Sequence, residues 1–187
     1  GAFASTVDKV KDLGFGYAYK SGFSFDLADF APLSKMRAAV LLKADAAADK
    51  IHKGPMTPLK KDAAIVKIYT DATSEMAAKA PALLRKKGNR LQLMSDAGIK
   101  PGWAQLQQLV LGPMLVTNAE GRTIPVPITR SYGEGLTSSQ YWVGATGARK
   151  GLVDKVLAVQ KPGALSKQIV NTAIPYVITA NDCGTNR

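Results

Sequence analysis

The sequence predicts a mainly α-helical fold with one small β-hairpin: an antiparallel helical hairpin, a further helix, a β-hairpin and a long kinked helix, together forming part of a larger multi-chain assembly. Apolar residues recur at three- and four-residue spacing through most of the 187 positions, which is the helical period. Only one stretch, MLVTNAEGRTIPVPIT at 114–129, reads as two short extended runs about a turn. The last helical stretch also holds glycines and a proline in its interior, so it needs support from outside itself.

The chain divides by these patterns into a lead-in (1–32), a helical hairpin (33–88), a helix with the β-hairpin (89–135), a long helix (136–174) and a strand or tail (175–187). The lead-in mixes glycine with aromatic residues in GFGYAYKSGFSFDLADF and reads as a short helix followed by an irregular or extended segment. From Leu33 the series Met36, Val40, Ala47 and Ile51 marks one helix, and from Leu59 the series Ala63, Val66, Tyr69 and Met76 marks a second. The turn HKGPMTP between them makes the two an antiparallel pair with lysines outward and His52 exposed at the tip. RKKGNR (85–90) and SDAGIKPG (95–102) read as solvated loops, the first basic enough to meet phosphates.

A third helix places Trp103, Leu106, Leu109 and Val110 on its apolar face and stops at Gly112-Pro113. In the β-hairpin the turn is Asn-Ala-Glu-Gly, and Pro125 and Pro127 confine the second strand to a sheet edge. Along the final helix Gly144, Gly147 and Gly151 fall at i, i+3 and i+7, a bare stripe that lets another backbone or a ligand approach closely. Pro162 has no amide for the carbonyl of Ala158, so the stretch is either one helix kinked there or two helices separated by a QKPG turn.

Lysine and arginine number 25 against 14 acids, a formal charge of +11 that favours a polyanionic partner such as nucleic acid. An anionic membrane surface is the competing partner, but no stretch approaches the roughly 18–20 uncharged apolar residues of a spanning helix, so no transmembrane role is expected. The first residues carry charges where a signal peptide needs its apolar centre. One cysteine, Cys183, and one histidine cannot complete a four-ligand zinc site. Any such site must be shared with another chain.

In order along the chain, several segments resemble the β′ subunit, the largest catalytic subunit of multisubunit DNA-dependent RNA polymerases. GARKGLVDKVL at 147–157 is similar to the start of that family's bridge helix, SYGEGLTSSQYW to the approach to it, and DCGT at 182–185 to the sequence after it. SDAGIKPGWAQLQQL resembles the SGARG-type segment and its helix, and residues 112–130 resemble the F-loop. The paired helices fall where the family has the rim helices of the secondary channel, and the opening aromatic segment matches the lead-in to them. The resemblance spans nearly the whole chain, and its specificity lies in GARKG, EGLT and DCGT at family spacing.

The resemblance implies nucleotidyl transfer, in which the RNA 3′ hydroxyl attacks the α-phosphate of a nucleoside triphosphate and two Mg²⁺ stabilise the attacking and leaving oxygens. The DFDGD-type carboxylate motif that holds them is absent here, so the isolated chain is expected to be inactive and Mg²⁺ to be held by another segment. It further implies a β-like subunit, the remaining β′ segments, template DNA and nascent RNA as partners. Lys100 stands at the arginine of SGARG, which contacts the nucleotide triphosphate; lysine keeps the charge and loses the bidentate fork. Arg149 and Lys150 match bridge-helix bases, and Lys167 matches an arginine that touches template phosphates. Val159 and Gln160 occupy the Thr-Ala positions beneath the templating base. Lys161, Pro162, Gly163 and Ala164 replace an Asn/Asp-Ser-Gly-Tyr run, which puts a proline where the family helix flexes. Pro113 replaces the arginine of a GMRG motif, leaving no charge there. Cys183 corresponds to the first of four zinc-binding cysteines and is either a ligand of a shared Zn²⁺ or a buried free thiol.

These departures, with a chain that starts at Gly1, point to a split or processed subunit of a bacteriophage-encoded polymerase working in the infected cell or the virion, and secondly to a plastid-type split subunit. The competing reading is a non-catalytic basic nucleic-acid-binding or architectural protein that uses the helical hairpin and RKKGNR.

Overall fold

The computed structural model describes residues 2–185. Its helices are α1 (Ala2–Ser21), α2 (Ser34–Lys53), α3 (Pro58–Lys86), α4 (Arg90–Asp96), α5 (Trp103–Val110), α6 (Ser138–Val156) and α7 (Gln160–Ala173), with a 3₁₀ turn at Leu27–Phe30. Among the described residues no helix is long and apolar enough to cross a membrane.

The core begins in the α2–α3 hairpin. On α2 the residues Val40, Leu41, Ala44 and Ala48 are buried, and on α3 the series Ile65, Tyr69, Ala72, Met76, Ala80 and Leu84 faces them. That spacing of threes and fours keeps one stripe toward the partner helix, and its alanines allow close approach. Pro58 starts α3 at a position where a missing amide costs nothing. Near the tip, Lys61 Nζ donates to the carbonyl of His52 at 2.7 Å and so caps the end of α2. The Tyr69 hydroxyl donates to Asp45 Oδ1 at 2.6 Å across the pair, and burial together with that carboxylate raises its pKa well above the ordinary range.

The open end of the hairpin is closed by α4, α5 and the segment that follows, through Leu91, Leu106, Val110, Leu111, Met114 and Ile128. The lead-in is fastened there by Asp29. Its carboxylate accepts from the backbone amides of Arg90 at 2.9 Å and Asp26 at 3.0 Å, while Asn89 Nδ2 donates to the Asp29 carbonyl at 2.7 Å. Burial opposes the Asp29 charge, but these amides and the nearby Arg90 guanidinium outweigh it and hold the pKa below the usual carboxylate value.

Several expectations need correction. The helix of the aromatic lead-in is longer than expected: α1 runs on through Gly14 and Gly16 to Ser21, none of its residues is buried, and the irregular segment begins only at Gly22. Two interior glycines weaken a helix by about 1 kcal/mol each but do not end it, and no proline interrupts this one. A further helix, α4, lies between the two segments read as loops, its start marked by Asn89, whose side chain accepts from the Gln92 amide at 2.9 Å. The expected β-hairpin is reduced to two isolated antiparallel bridges, Met114 with Ile128 and Thr117 with Thr123. Pro125 and Pro127 lack the amides that would extend the ladder between them. The turn itself is as read: Asn118 Oδ1 accepts from Glu120 and Arg122, and Gly121 sits at φ +82°. The described part of the tail, 175–185, carries no strand.

Gly133 marks the tightest crossing of this region. A Cβ there would lie 2.7 Å from the Phe30 carbonyl oxygen and 3.0 Å from that of Leu109, both backbone. Gly133→Ala is therefore expected to destabilise the chain by about 1–3 kcal/mol in denaturant titration, the cost of forcing packed backbones apart.

Candidate nucleic-acid interface

The long helix grows from a fastened root. Glu134, three residues before the α6 N-cap Thr137, forms a bidentate ion pair with Arg37 of α2, with Arg37 NH2 2.8 Å from Glu134 Oε1. Arg37 also donates to the carbonyl of Leu111 at 3.2 Å. Glu134 Oε2 accepts from the amide of Ser131 at 3.1 Å and from its hydroxyl at 2.9 Å. Arg37 comes first among the causes that lower the Glu134 pKa to about 2, the Ser131 hydrogen bonds adding to it and burial opposing both. The same segment hydrogen-bonds α5 through Tyr132 N to Gln108 O at 3.0 Å and Gly133 N to Leu109 O at 3.2 Å.

Beyond the root, the first half of α6 rests on the bridged segment. The position of a Cβ on Gly147 is 3.1 Å from Val116 Cβ, and that on Gly144 is 3.6 Å from Ile128 Cδ1. Gln140 Nε2 donates to Thr129 Oγ1 at 3.0 Å. The glycine stripe thus serves close packing at its first two positions, while Gly151 faces open space. From Gly151 to Thr185 every described residue is exposed.

α6 and α7 form one long bent helix, interrupted at Leu157–Val159, which ends three residues before Pro162. Leu157 and Val159 keep right-handed helical dihedrals, so the path continues through the bend. Pro162 falls in the first turn of α7, where amides have no intrahelical partner to lose. Arg149, Gln160, Gly163 and Lys167 are separated by 11, 3 and 4 residues, intervals that return to nearly one face of a helix. Arg149 and Lys167 make no ion pair among the described residues, whereas Lys150 Nζ pairs with Asp154 Oδ2 at 2.5 Å. Val159 is exposed beside the bend. The bent helix therefore presents a basic, glycine-containing face free of other protein groups within the described chain.

Lys100 is placed elsewhere. It is exposed in the loop between α4 and α5, at the edge of a cleft of about 750 Å³ whose walls include Phe25, Phe30, Leu91, Met94 and Leu109. No α6 or α7 residue lines that cleft. RKKGNR proves largely structural in its arginines. Arg85 makes a bidentate pair with Asp96 at 2.6 and 2.7 Å, and Arg90 reaches Asp26 and the Ser24 carbonyl, leaving Lys86 and Lys87 exposed. Cys183 is exposed, not buried, and its thiol lies 3.3 Å from Thr185 Oγ1, a contact that lowers its pKa. No group of three or more metal-ligating side chains occurs among the described residues.

Comparison with known proteins reaches the whole chain. The chain is 35% identical over 189 residues to the DNA-directed RNA polymerase subunit beta' of Clavibacter sepedonicus, an alignment that covers 98% of this chain. The chain is homologous to one segment of β′. The β′ protein of Salinispora arenicola is 36% identical over 191 residues, covering 100% of the chain, and that of Shouchella clausii is 34% identical over 185 residues, covering 97%. The chain spans only 14–15% of the length of these β′ relatives. No protein-family model matches it.

Arg37, Ser131 and Glu134 are the residues that sequence reasoning missed. The signal was present: Arg37 falls four residues after Leu33 and three before Val40, on the buried face of α2, where a charge demands a partner. For the exposed half of the helix, Gly151→Ala is expected to raise the stability of α6 by about 1 kcal/mol, read by amide hydrogen exchange, since its Cβ meets nothing. Gly147→Ala gains the same propensity but must displace Val116, so it falls short of that value.

Proposed function

We propose that the chain is the part of a β′ subunit that lines the active centre of a multisubunit DNA-directed RNA polymerase, acting in transcription within an assembly that contains a β-like subunit and the remaining β′ segments. The observation that carries this reading is the end-to-end 35% identity to β′, combined with a bent helix whose exposed face holds Arg149, Gln160, Gly163 and Lys167. In this role the α6–α7 helix is the bridge helix. Arg149, Lys150 and Lys167 approach template phosphates, Val159 and Gln160 lie beneath the templating base, and Gly163 leaves room for a neighbouring backbone. Pro162 fixes the bend, because its ring would clash with the Ala158 carbonyl in an unbroken helix. Lys100 contributes a point charge to the nucleotide triphosphate, and the bridged segment at 112–130 acts as the F-loop beneath the bridge helix. The paired helices α2 and α3 form the rim of the secondary channel.

In this reading Mg²⁺ is held by a carboxylate motif on another segment; no cluster of three or more metal-ligating side chains occurs among the described residues. Cys183, exposed and with its thiol pKa lowered, suits one corner of a zinc site completed from outside the chain. A split polymerase encoded by a bacteriophage remains the source that best accommodates the departures at Val159–Ala164.

The test is reconstitution. The chain is co-expressed with a β-like chain and the β′ segment that carries a DFDGD-type motif, and RNA synthesis on a primed template is measured. Co-purification with template-dependent synthesis that vanishes when this chain is left out supports the reading. A stable monomer that ignores those chains and binds DNA by itself favours the non-catalytic binding protein.

A further inference from the structure

We propose that Glu134 is a positioning residue for the bent helix: with Arg37 and Ser131 it sets the angle at which α6 leaves the body of the chain, and so couples the α2–α3 hairpin to the helix it roots. This rests on the polymerase reading given above.

The contacts along α6–α7 are concentrated at one end. Neither helix has a buried residue, and the packing of α6 on the body ends near Gly147. Some 36 residues from Ser138 to Ala173 extend ~50 Å at helical rise, so a tilt of ~5° at the root displaces the far end by ~4 Å. The angle at which α6 leaves the body is therefore set near its start, by what holds residues 131–137 together with the contacts of Gln140, Gly144 and Gly147 on the bridged segment. There the only charged group with its charge neutralised from within the body is Glu134, gripped on one side by the guanidinium of Arg37 and on the other by the amide and hydroxyl of Ser131.

The partners make this a joint with fixed geometry. The planar fork of Arg37 holds the carboxylate end-on through both of its terminal nitrogens, and its further bond to the Leu111 carbonyl fixes the fork itself. Ser131 is fully buried, and Arg37 is close to it in burial, its side chain 10% exposed. A shift of α2 is transmitted to Glu134 through two parallel hydrogen bonds, and from there through three residues to the N-cap of α6.

The experiment uses the reconstituted polymerase, comparing the wild-type chain with Glu134→Gln, which keeps an acceptor for Ser131 but removes the charge that Arg37 holds. Active elongation complexes are purified first, and the single-turnover rate of nucleotide addition is then measured per complex. A positioning role lowers that rate by about tenfold or more even where the yield of complexes is normal, because small misplacements of reacting groups are costly. A rate equal to wild type, whatever the yield, overturns the proposal. If Glu134→Gln does not assemble, Ser131→Ala is measured in the same way: a slower rate supports the joint, and an unchanged one overturns it. Failure of the wild-type chain itself to give RNA would instead remove the polymerase reading.

Discussion

Glu134→Ala is expected to lower the unfolding free energy of the chain by about 3–5 kcal/mol at neutral pH, because it leaves the Arg37 guanidinium inside the fold without its counter-charge. Both partners are largely withdrawn from solvent, with side chains 10% and 21% exposed, so screening takes little from the pair. The pH dependence separates this ion pair from simple packing. The folded-state pKa of Glu134 is about 2, below its ordinary value of 4.5. Its stabilisation is therefore complete above pH 4.5 and is lost as the pH falls through about 2. Denaturant titrations across that window should converge for wild type and Glu134→Ala at the acid end, and parallel curves would show that the carboxylate does not carry the effect.

Leu106→Ala carries the second large effect, a loss of about 2–5 kcal/mol. Leu106 is 0% exposed on α5, a helix of eight residues. A helix that short has no stability of its own in water and persists through its packed face. That face is what joins the hairpin core to Met114 and Leu111, so the cavity opens at the junction of the two halves of the body. Leu93→Ala is the control: Leu93 is 60% exposed, and its removal should stay within about 0.5 kcal/mol.

The helical hairpin was legible because HKGPMTP punctuates two long periodic runs, and α2 and α3 begin and end within a few residues of the expected bounds. The phase of the core was less so. Met36, Ala47 and Ile51 were expected inward on α2, yet they are only half-buried, and the deepest positions include Ala44 and Ala48. Alanine is common on both faces of these helices, so it carries little information about which face is inside. On α5, where Leu106 and Val110 contrast with glutamines, the face was read correctly. The lead-in failed for a different reason: α1 buries nothing, so no amphipathic contrast marks it as a helix.

At the site, the basic and glycine-bearing character of the long helix could be read directly, since it depends on residue type. The division of the glycine stripe could not. Gly147 meets Val116 and Gly151 meets nothing, a distinction set by where residues 112–130 fold back. Likewise RKKGNR shows four cations in sequence, but only the fold reveals that Asp96 and Asp26 claim its two arginines.

The burial profile of α7 has a thermodynamic consequence. With none of its 14 residues buried, this helix gains almost nothing from the rest of the chain to offset the conformational entropy of ordering it. A 14-residue segment is marginal as an isolated helix. In the proposed assembly its ordering free energy therefore belongs to the surface that covers it, and the fraction of molecules with α7 formed becomes a function of partner concentration. Protease sensitivity between Gln160 and Ala173 should accordingly follow the binding isotherm of the partner, while the α2–α3 core remains indifferent to it.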